Sequence, residues 1–556
     1  MREWYPEADL VIQHPKVYTV AITCDEILQG KRDFPIIEDG GVAAKDGKII
    51  AVGTADEMDS FIGEHTNVID ATGEVLLPGF VESHMHCTWT GNNLRNIDFR
   101  PLTKREDVKA VIKEYAEKTP DGLWIQGNSW NELVWDDPTP LTLEELDELC
   151  PSNPLFCMRT CFHTAMVNSL ALEAAGITAD TPDPEGGQIG HEDDGSLDGY
   201  LFENSAMDLV QKVIPDLTPE QRVESIEEVG KYLNSLGITS SIDANLWFWE
   251  MRTYQEAKEQ GRLSFRANLM WYCDSAYGDV DCHLKRMEEM DFFTGFGDDM
   301  LKLNGVKVTL DGIPATYTAL MREGYKTRPD YCGSSVWSQD EITKLVCKAQ
   351  ELGWQFGIHT IGDAATDMAL NAFEEASKIG DVKPRHHYII HYQLPHEDQW
   401  PRMREMGIGA TVQPTIVSTM GEAPQFYEEQ ALRIQSPGLL FKNGIICGGG
   451  SDSPVVPPDP IMGMYYAITR LDETTGNILS KGDESKVTPI EALIMWTKNA
   501  AWFLHDEDKL GSIEVGNLAD LVLFPFDFIS GDVEEYRRVK VDKTILGGKV
   551  VYEAES

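Results

Sequence analysis

Short apolar segments recur through the middle of the chain and alternate with amphipathic segments of helical periodicity. Eight of these apolar segments predict strands, at 81–86, 239–244, 265–272, 303–311, 355–360, 388–392, 408–413 and 445–452. Stretches such as 340–352 and 364–378 predict helices between them. Strands that alternate with helices form parallel sheets, and eight such strands close a barrel. The pattern therefore predicts an α/β fold, a distorted TIM (β/α)8 barrel.

The two ends of the chain have a different pattern, in which short strands are separated by turns. Segments 17–22 and 41–53 have this character, and Asp46-Gly47 within the second is a hairpin turn signal. The tail repeats the pattern at 518–524 and 541–552. We therefore expect a small composite β-sandwich domain built from both termini, with 1–78 and 506–556 as its parts and the barrel at 79–505.

Roughly 150 residues separate the first predicted barrel strand from the second. A connection of this length exceeds a simple loop, so we expect a large insertion at about 90–235 with its own helices and strands. It leaves the end of the barrel at which active sites lie. The insertion is therefore predicted to be a lid or part of a substrate pocket.

Charge and cysteine content narrow the expected surroundings of the protein. The 556 residues have a formal net charge of -45, spread along the chain, which disfavours nucleic acid and membrane as partners. Ten cysteines without a CxxC pair predict free thiols in a reducing compartment. The N-terminus lacks a signal-peptide pattern, and no window approaches the roughly 20 apolar residues of a membrane span. A cytoplasmic location is expected.

Metal-binding side chains lie near the carboxyl ends of five predicted strands. The first strand ends in His84-Met85-His86, whose imidazoles share one face because side chains alternate along a strand. The other four strands contribute Lys307, His359, His391 and Asp452. Each histidine alone has an ordinary alternative as a hydrogen-bonded core residue, and a lysine facing the barrel axis is costly unless neutral, paired or modified. Together on one rim, they indicate a hydrolytic metal centre.

This order of residues, H-x-H, Lys, His, His and Asp, resembles the amidohydrolase superfamily over nearly the whole chain. The segments 124–130, 159–168 and 307–312 resemble the amidohydrolase 3 family, which includes N-substituted formamide deformylases. Segment 511–520 is similar to the part that returns family members to their β-sandwich. One departure is Glu82, because relatives commonly carry Asp two residues before the first histidine.

The resemblance implies a binuclear metal centre and assigns its ligands. His84, His86 and Asp452 would hold one divalent ion, and His359 and His391 would hold the second. Lys307, carboxylated on its neutral amine by carbon dioxide, would bridge the two. Some relatives use a single ion and an unmodified lysine, so one or two ions per chain are both open. Zinc is the default for these ligands, with manganese, iron or nickel as alternatives.

The implied activity is hydrolysis of a non-peptide carbon-nitrogen bond by metal-activated hydroxide, with Asp452 as the base and then the acid. The expected substrate is an N-substituted formamide or an N-acyl amine. A deaminase or cyclic-amide hydrolase on the same metal centre is the alternative. A non-catalytic barrel scaffold is a third hypothesis, which the complete set of ligands disfavours.

Substrate recognition is expected from the insertion and the loops at the strand ends. Arg159 and His163 lie in a segment that resembles the family's strand and loop facing the metal, so either side chain is a candidate to bind a substrate carbonyl or the developing oxyanion. Aromatic residues that suggest an apolar or aryl substituent are Trp89, Trp130, Phe162, Tyr317 and Tyr325, although core packing explains each equally well. The expected partners are a small-molecule substrate and, as in many family members, a second copy in a homodimer.

Overall fold

The computed structural model describes residues 7–160, 163–421, 423–480 and 482–555. The chain divides into two compact units. The first comprises Met1–Thr88 and Val229–Ser556, and the second comprises Trp89–Glu228. We describe each unit by itself.

Eight parallel strands form a barrel in the first unit. They are β1 (Phe80–Met85), β2 (Ile238–Leu246), β3 (Arg266–Cys273), β4 (Leu301–Thr309), β5 (Gln355–Thr360), β6 (Tyr388–His391), β7 (Gly409–Val412) and β8 (Cys447–Gly449). Each strand pairs in parallel with the next one along the chain. Every predicted barrel strand overlaps one of these strands, so the prediction of a TIM barrel is confirmed.

The first and last barrel strands meet at two backbone hydrogen bonds. The amide of Asp452 donates to the carbonyl of His84 at 2.9 Å, and the amide of His86 donates to the carbonyl of Ser453 at 2.8 Å. These bonds nearly close the barrel just beyond the end of β8. We call this contact the seam.

Helices follow most barrel strands. In the first unit they are Phe248–Glu259, Val280–Met290, Gln339–Leu352, Asp363–Ser377, Gln399–Met406, Pro414–Thr419, Glu428–Ala431, Pro437–Lys442, Pro460–Thr469, Pro489–Met495 and Lys498–Phe503. Gln339–Leu352 shows why the sequence predicted such helices. Ser338 and Glu341 form a capping box at its start, and Gly353, at a φ of 89°, ends it.

Two further sheets of the first unit contain the termini. One has the strands Leu10–Gln13, Gly40–Lys45, Lys48–Thr54 and Asn67–Asp70. The other has Lys16–Tyr18, Ile36–Ile37, Val75–Pro78, Leu521–Phe524, Lys543–Leu546 and Lys549–Glu553. Two short helices, Cys24–Leu28 and Ala55–Met58, accompany them. One apolar core includes Leu10, Leu76, Leu523 and Ile545, so both chain ends supply it.

The predicted turn at Asp46-Gly47 joins two strands of the first of these sheets. Lys45 pairs with Lys48 across it, and the two turn residues have φ angles of 50° and 77°. Two positive φ angles in a two-residue hairpin loop are the signature of a type I′ turn, which favours Asp-Gly. The hairpin prediction is confirmed.

The second unit contains its own mixed sheet. Its strands are Ile97–Asp98, Ile125–Trp130, Leu155–Arg159, Thr164–Val167, Gln188–His191 and Leu197–Phe202, and its helices are Arg105–Lys118, Leu143–Leu149, Ser169–Ala174 and Asn204–Gln211. The helices Cys87–Leu94 and Pro219–Ser235 contain residues of both units. In the described part of the chain, no helix combines the length and the apolar composition needed to cross a bilayer.

Candidate metal centre

Three buried side chains meet at the carboxyl end of the barrel strands. His84 lies in β1, His391 is the last residue of β6, and Asp452 follows β8. Each offers one ligand atom, and these three atoms all lie within 4.8 Å of one another. Two imidazoles and a carboxylate at this spacing form a donor set suited to a divalent ion such as zinc.

Two more of the predicted histidines adjoin this cluster. His86 Nε2 lies 3.1 Å from Asp452 Oδ1, the oxygen that His84 Nε2 approaches to 3.2 Å. The ring centroid of His359, in β5, lies 4.5 Å from that of His391. The structure therefore brings the four histidines and Asp452 together, while their division between particular ions stays a prediction.

The backbone turns sharply at two members of this cluster. His391 has a φ of 71° and Asp452 has a φ of 60°, in the left-handed region that non-glycine residues rarely adopt. Such a conformation costs about 1–3 kcal/mol and persists where the surroundings hold it in place. At Asp452, the amide hydrogen bond to His84 is one such restraint.

Several buried ligand atoms of the cluster lack an ordinary partner. Within the described residues, both ring nitrogens of His84 and Oδ1 of Asp452 have no hydrogen bond of acceptable geometry, and Nδ1 of His359 has none either but lies 3.5 Å from Asp311 Oδ1. Leaving a buried polar atom without a partner costs about 1–3 kcal/mol. A divalent cation would satisfy several of these atoms at once, so the residues present fit a metal ion.

Burial sets the protonation states that such ligands need. Burial, with Lys307 as the second cause, lowers the pKa of His84 to about 3, and burial lowers the pKa of His391 well below its usual value. Burial alone would raise the pKa of Asp452, but contacts with His84 and His86 outweigh it and hold that pKa well below its usual range. Neutral imidazoles and an ionised carboxylate are the forms that bind metal.

Lys307 lies buried in β4. Burial lowers its pKa to about 8, although the charges of Asp452 and Asp243 act in the opposite direction. A pKa near 8 leaves a small fraction of neutral amine at neutral pH, and the neutral amine is the form that reacts with carbon dioxide. Carboxylation of Lys307 stays a prediction.

Asp243, in β2, is a buried residue that sequence reasoning missed. Its carboxylate accepts hydrogen bonds from the amides of Cys87 and Thr88, both at 3.0 Å, from the Thr88 hydroxyl at 2.8 Å and from the Tyr254 hydroxyl at 2.6 Å. It therefore fixes the turn of chain directly after His86. The only sequence signal was an acidic residue inside a predicted barrel strand.

Glu82 connects the two strands at the seam. Its Oε1 accepts the amide of His84 at 2.9 Å and the amide of Ser451 at 3.1 Å, and burial raises its pKa to about 8. A Cβ added at Gly450 would lie 2.8 Å from this oxygen, so the approach requires glycine. The sequence revealed the departure from the usual Asp but not this role.

Arg159 and His163 belong to the second unit. Arg159 pairs with Glu132 through two bonds, Nε to Oε2 at 2.9 Å and Nη2 to Oε1 at 2.7 Å. His163 Nδ1 lies 2.8 Å from Glu203 Oε2. These contacts describe the second unit alone, and the substrate-binding role of both residues stays a prediction.

The suggested pocket aromatics differ in placement. Trp130 is buried in the second unit and donates from Nε1 to the carbonyl of Cys157 at 3.0 Å. Tyr325 is buried in the first unit and donates to the carbonyl of Ala319 at 2.7 Å. These two therefore pack in cores. Tyr317 lies under the guanidinium of Arg328 and Trp89 is half-exposed, whereas Phe162 lies outside the described residues.

A parallel eight-stranded barrel with histidine and aspartate donors on its carboxyl rim defines a class of barrel hydrolases that use divalent metals. Residues 67–552 match the model described as the Amidohydrolase family. The chain belongs to this family. Membership confirms the predicted family and the predicted enzyme class, a hydrolase acting on carbon-nitrogen bonds.

Individual relatives agree with this classification. The putative amidohydrolase YtcJ of Bacillus subtilis is 29% identical over 94% of this chain and 98% of its own length. The N-substituted formamide deformylase of Arthrobacter pascens is 26% identical over 92% of this chain and 94% of its own length. An uncharacterized metal-dependent hydrolase from Pyrococcus furiosus has a similar fold, with a TM-score of 0.72 and 24% identity over 94% of this chain and all of that one.

Proposed function

We propose that the chain hydrolyses a linear non-peptide amide, with an N-substituted formamide or an N-acyl amine as its substrate class. The observation that carries the proposal is the meeting of His84, His391 and Asp452 on the carboxyl rim of the barrel. Their ligand atoms are close enough to share one ion, and some of them have no other partner among the described residues. The similarity to a formamide deformylase supports the substrate class.

In the proposed centre, His84, His86 and Asp452 hold one ion, and His359 and His391 hold the second. Zinc is the first choice for imidazole and carboxylate ligands. A bound divalent ion supplies Lewis acidity, which lowers the pKa of a coordinated water toward about 7 and polarises a carbonyl oxygen.

Lys307 has a separate proposed role. Its neutral amine attacks the carbon of carbon dioxide, a nitrogen-carbon bond forms, and the amine proton leaves to water. The product is an anionic carbamate, which replaces a costly buried cation with two ligand oxygens. The burial of Lys307 and its lowered pKa support this reaction.

Asp452 is the proposed carrier of the proton. Its contacts with His84 and His86 favour the ionised carboxylate, so it accepts a proton from the attacking water at neutral pH. The carboxyl then donates this proton to the leaving nitrogen as the carbon-nitrogen bond breaks. One side chain thus serves first as base and then as acid.

The test combines elemental analysis of the purified protein with a screen of N-substituted formamides, N-acyl amines and cyclic amides. We expect bound zinc or another divalent metal, and release of a carboxylic acid and an amine. Ammonia release without a carboxylic acid would instead support a deaminase. Asp452→Asn should lower turnover by about 10²–10⁴-fold, because the amide cannot take up the proton.

Asp459→Asn is the matched control. Asp459 is a half-buried aspartate that caps the helix Pro460–Thr469 and accepts hydrogen bonds from the amides of Ile461 and Met462 at 2.9 and 3.2 Å. Asparagine caps helices as well as aspartate does, so this variant should keep its turnover. Unchanged turnover in Asp452→Asn would contradict the proposed proton carrier, and a protein without metal or activity after incubation with zinc and bicarbonate would contradict the proposed centre.

A further inference from the structure

Gln413, the residue after β7, holds the ring of His391 through its side chain. His391 Nδ1 lies 2.8 Å from Gln413 Oε1, and both residues are buried. A bond at Nδ1 leaves Nε2 as the ring nitrogen available to a metal. Which ring nitrogen of His391 carries the proton depends on whether the side-chain amide of Gln413 presents its oxygen or its nitrogen. A further contact of Gln413 must therefore fix the orientation of this amide.

A second buried glutamine, Gln435, fixes it. The backbone amide of Gln413 only donates, so the side-chain atom of Gln435 that it contacts is the oxygen, Oε1. The other side-chain atom of Gln435 is therefore the nitrogen Nε2, which lies 3.5 Å from Gln413 Oε1. An N–H group requires an acceptor, so this contact assigns the oxygen as the Gln413 atom shared by Gln435 and His391, while Gln413 Nε2 has no partner among the described residues. An oxygen of this kind only accepts, so His391 carries its proton on Nδ1 and its lone pair on Nε2.

Arg470 in turn holds the backbone around Gln435. This buried guanidinium donates to the carbonyls of Gln435 at 3.0 Å, Leu479 at 3.4 Å and Ile434. Gln435 itself has a φ of 37°, and its amide donates to the carbonyl of Gln393 at 2.8 Å. A guanidinium buried against carbonyl groups is costly to place there. What it stabilises is the left-handed turn that aims the Gln435 side chain at Gln413.

We propose that Gln413, Gln435 and Arg470 form a positioning network that sets the tautomer and the orientation of His391 for metal binding. The inference rests on the proposed function, because it requires His391 to be a ligand. Gln413 touches the ligand, whereas Gln435 and Arg470 act through it. Partners of this kind typically contribute 10- to 100-fold in metal affinity.

The test uses the full-length protein after removal of metal. Affinity for zinc is measured by competition with a chelator, and Co²⁺ is added separately so that its visible absorption spectrum reports the ligand geometry. Gln413→Met removes the acceptor at similar volume and should weaken zinc binding by about 10- to 100-fold and alter the Co²⁺ spectrum. Gln413→Glu keeps an acceptor oxygen and should restore most of the affinity.

Gln350 supplies a matched control with the same chemistry. Its Oε1 lies 3.2 Å from Nε2 of His387, and the Phe356 amide donates to Nδ1 of that ring at 3.0 Å. His387 precedes β6, at the end of the strand opposite His391. Gln350→Met should lower the melting temperature but leave the zinc affinity and the Co²⁺ spectrum unchanged. Equal losses of affinity in Gln350→Met and Gln413→Met would overturn the positioning role.

His391→Asn distinguishes a failure of the proposed metal centre from a failure of the positioning network alone. If this variant binds metal as tightly as the unchanged protein, the proposed centre fails. If it loses metal while Gln413→Met keeps both affinity and spectrum, only the positioning network fails. Should Gln413→Met not fold, Gln435→Met provides a second test, because it leaves Gln413 in place but removes the side chain that orients it. A weaker affinity with an altered spectrum is then expected, and unchanged values would overturn the inference.

Discussion

Buried histidines lie at both ends of the barrel, and the two groups differ in what faces their ring nitrogens. At the carboxyl rim, His84 has no partner of acceptable geometry for either nitrogen among the described residues. At the amino end, His387 contacts Phe356 and Gln350. Burial lowers the pKa of His84 and of His387 alike, to about 3. Burial and neutrality therefore do not distinguish a metal ligand from a core histidine, whereas the partners of the ring do.

The other rings at the amino end support this distinction with one exception. His386 Nδ1 lies 2.9 Å from the carbonyl of Trp502, and its ring stacks between Trp502 and His505 with centroid distances of 4.0 and 4.2 Å. His505 Nε2 has no partner among the described residues. Stacking therefore accounts for the placement of His505, and the adjacent buried carboxylate, that of Asp506, pairs with Lys302.

The carboxyl groups beside the two groups of histidines also differ, in the direction in which their pKa is shifted. Glu507 Oε1 lies 3.7 Å from His386 Nε2, and burial raises the pKa of Glu507 to about 7. Contacts with two histidines instead lower the pKa of Asp452. Burial thus favours the protonated form of Glu507 at the amino end, whereas the contacts of Asp452 favour its ionised form at the rim. The comparison teaches that an ionised carboxylate in contact with imidazole rings distinguishes the candidate metal centre from the amino end.

The largest expected effect is on metal affinity, when one histidine of each group is replaced by asparagine. His391→Asn should reduce metal affinity by at least about 100-fold, because a ligand is lost. His387→Asn should keep its metal but lower the free energy of unfolding by about 2 kcal/mol, because a buried amide loses its acceptor. Elemental analysis and thermal unfolding measure both. Equal metal content in the two variants would contradict the distinction between the histidines of the rim and those of the amino end.

A second pair of variants tests two lysines of the same strand, β4. Lys302, toward the amino end, pairs with the buried carboxylate of Asp506 at 2.5 Å. Lys302→Met should therefore cost about 3 kcal/mol, because the buried carboxylate of Asp506 would keep only the more distant Lys509, at 3.8 Å, as its ion-pair partner.

Lys307→Met should leave the stability of the metal-free protein unchanged or higher, because an apolar side chain replaces a buried ammonium. Its metal content should nevertheless fall. Denaturant unfolding of both metal-free variants checks the difference. A Lys307→Met variant that loses as much stability as Lys302→Met would show that Lys307 is a structural residue.

The smallest effect concerns pH and Glu507. Its folded pKa of about 7 lies above the usual value of 4.5, so the folded chain binds this proton more tightly than the unfolded chain. The resulting stabilisation is complete below pH 4.5 and is lost as the pH rises through about 7. Glu507→Gln removes this titration and should gain about 1–2 kcal/mol relative to the unchanged protein between pH 5 and 8. A difference in melting temperature that does not change with pH would contradict this assignment.

The barrel strands and the central residues of the site were predictable because each leaves a local trace. The apolar segments fix the strands, and His84, His359 and Asp452 lie at strand ends where few packing residues would be polar. Gln413 and Asp243 are polar residues of predicted strands as well, but neither belongs to a recognisable ligand pattern. Their roles depend on contacts with neighbouring strands, and a single Gln or Asp in a strand does not reveal which side chain it will meet. The positions of Arg159 and His163 relative to a substrate could not be predicted from the local sequence for the same reason.

The seam has a consequence for synthesis. Glu82 and Ser451, which meet across it, are 369 positions apart in the chain. Asp452 leaves the ribosome long after His84 and His86, and strand Leu521–Phe524, which pairs with Val75–Pro78 just ahead of β1, emerges later still. A nascent or truncated chain therefore has imidazoles but lacks the carboxylate that completes the donor set. Binding of a metal at the complete donor set would therefore require synthesis past Asp452 and closure of the seam.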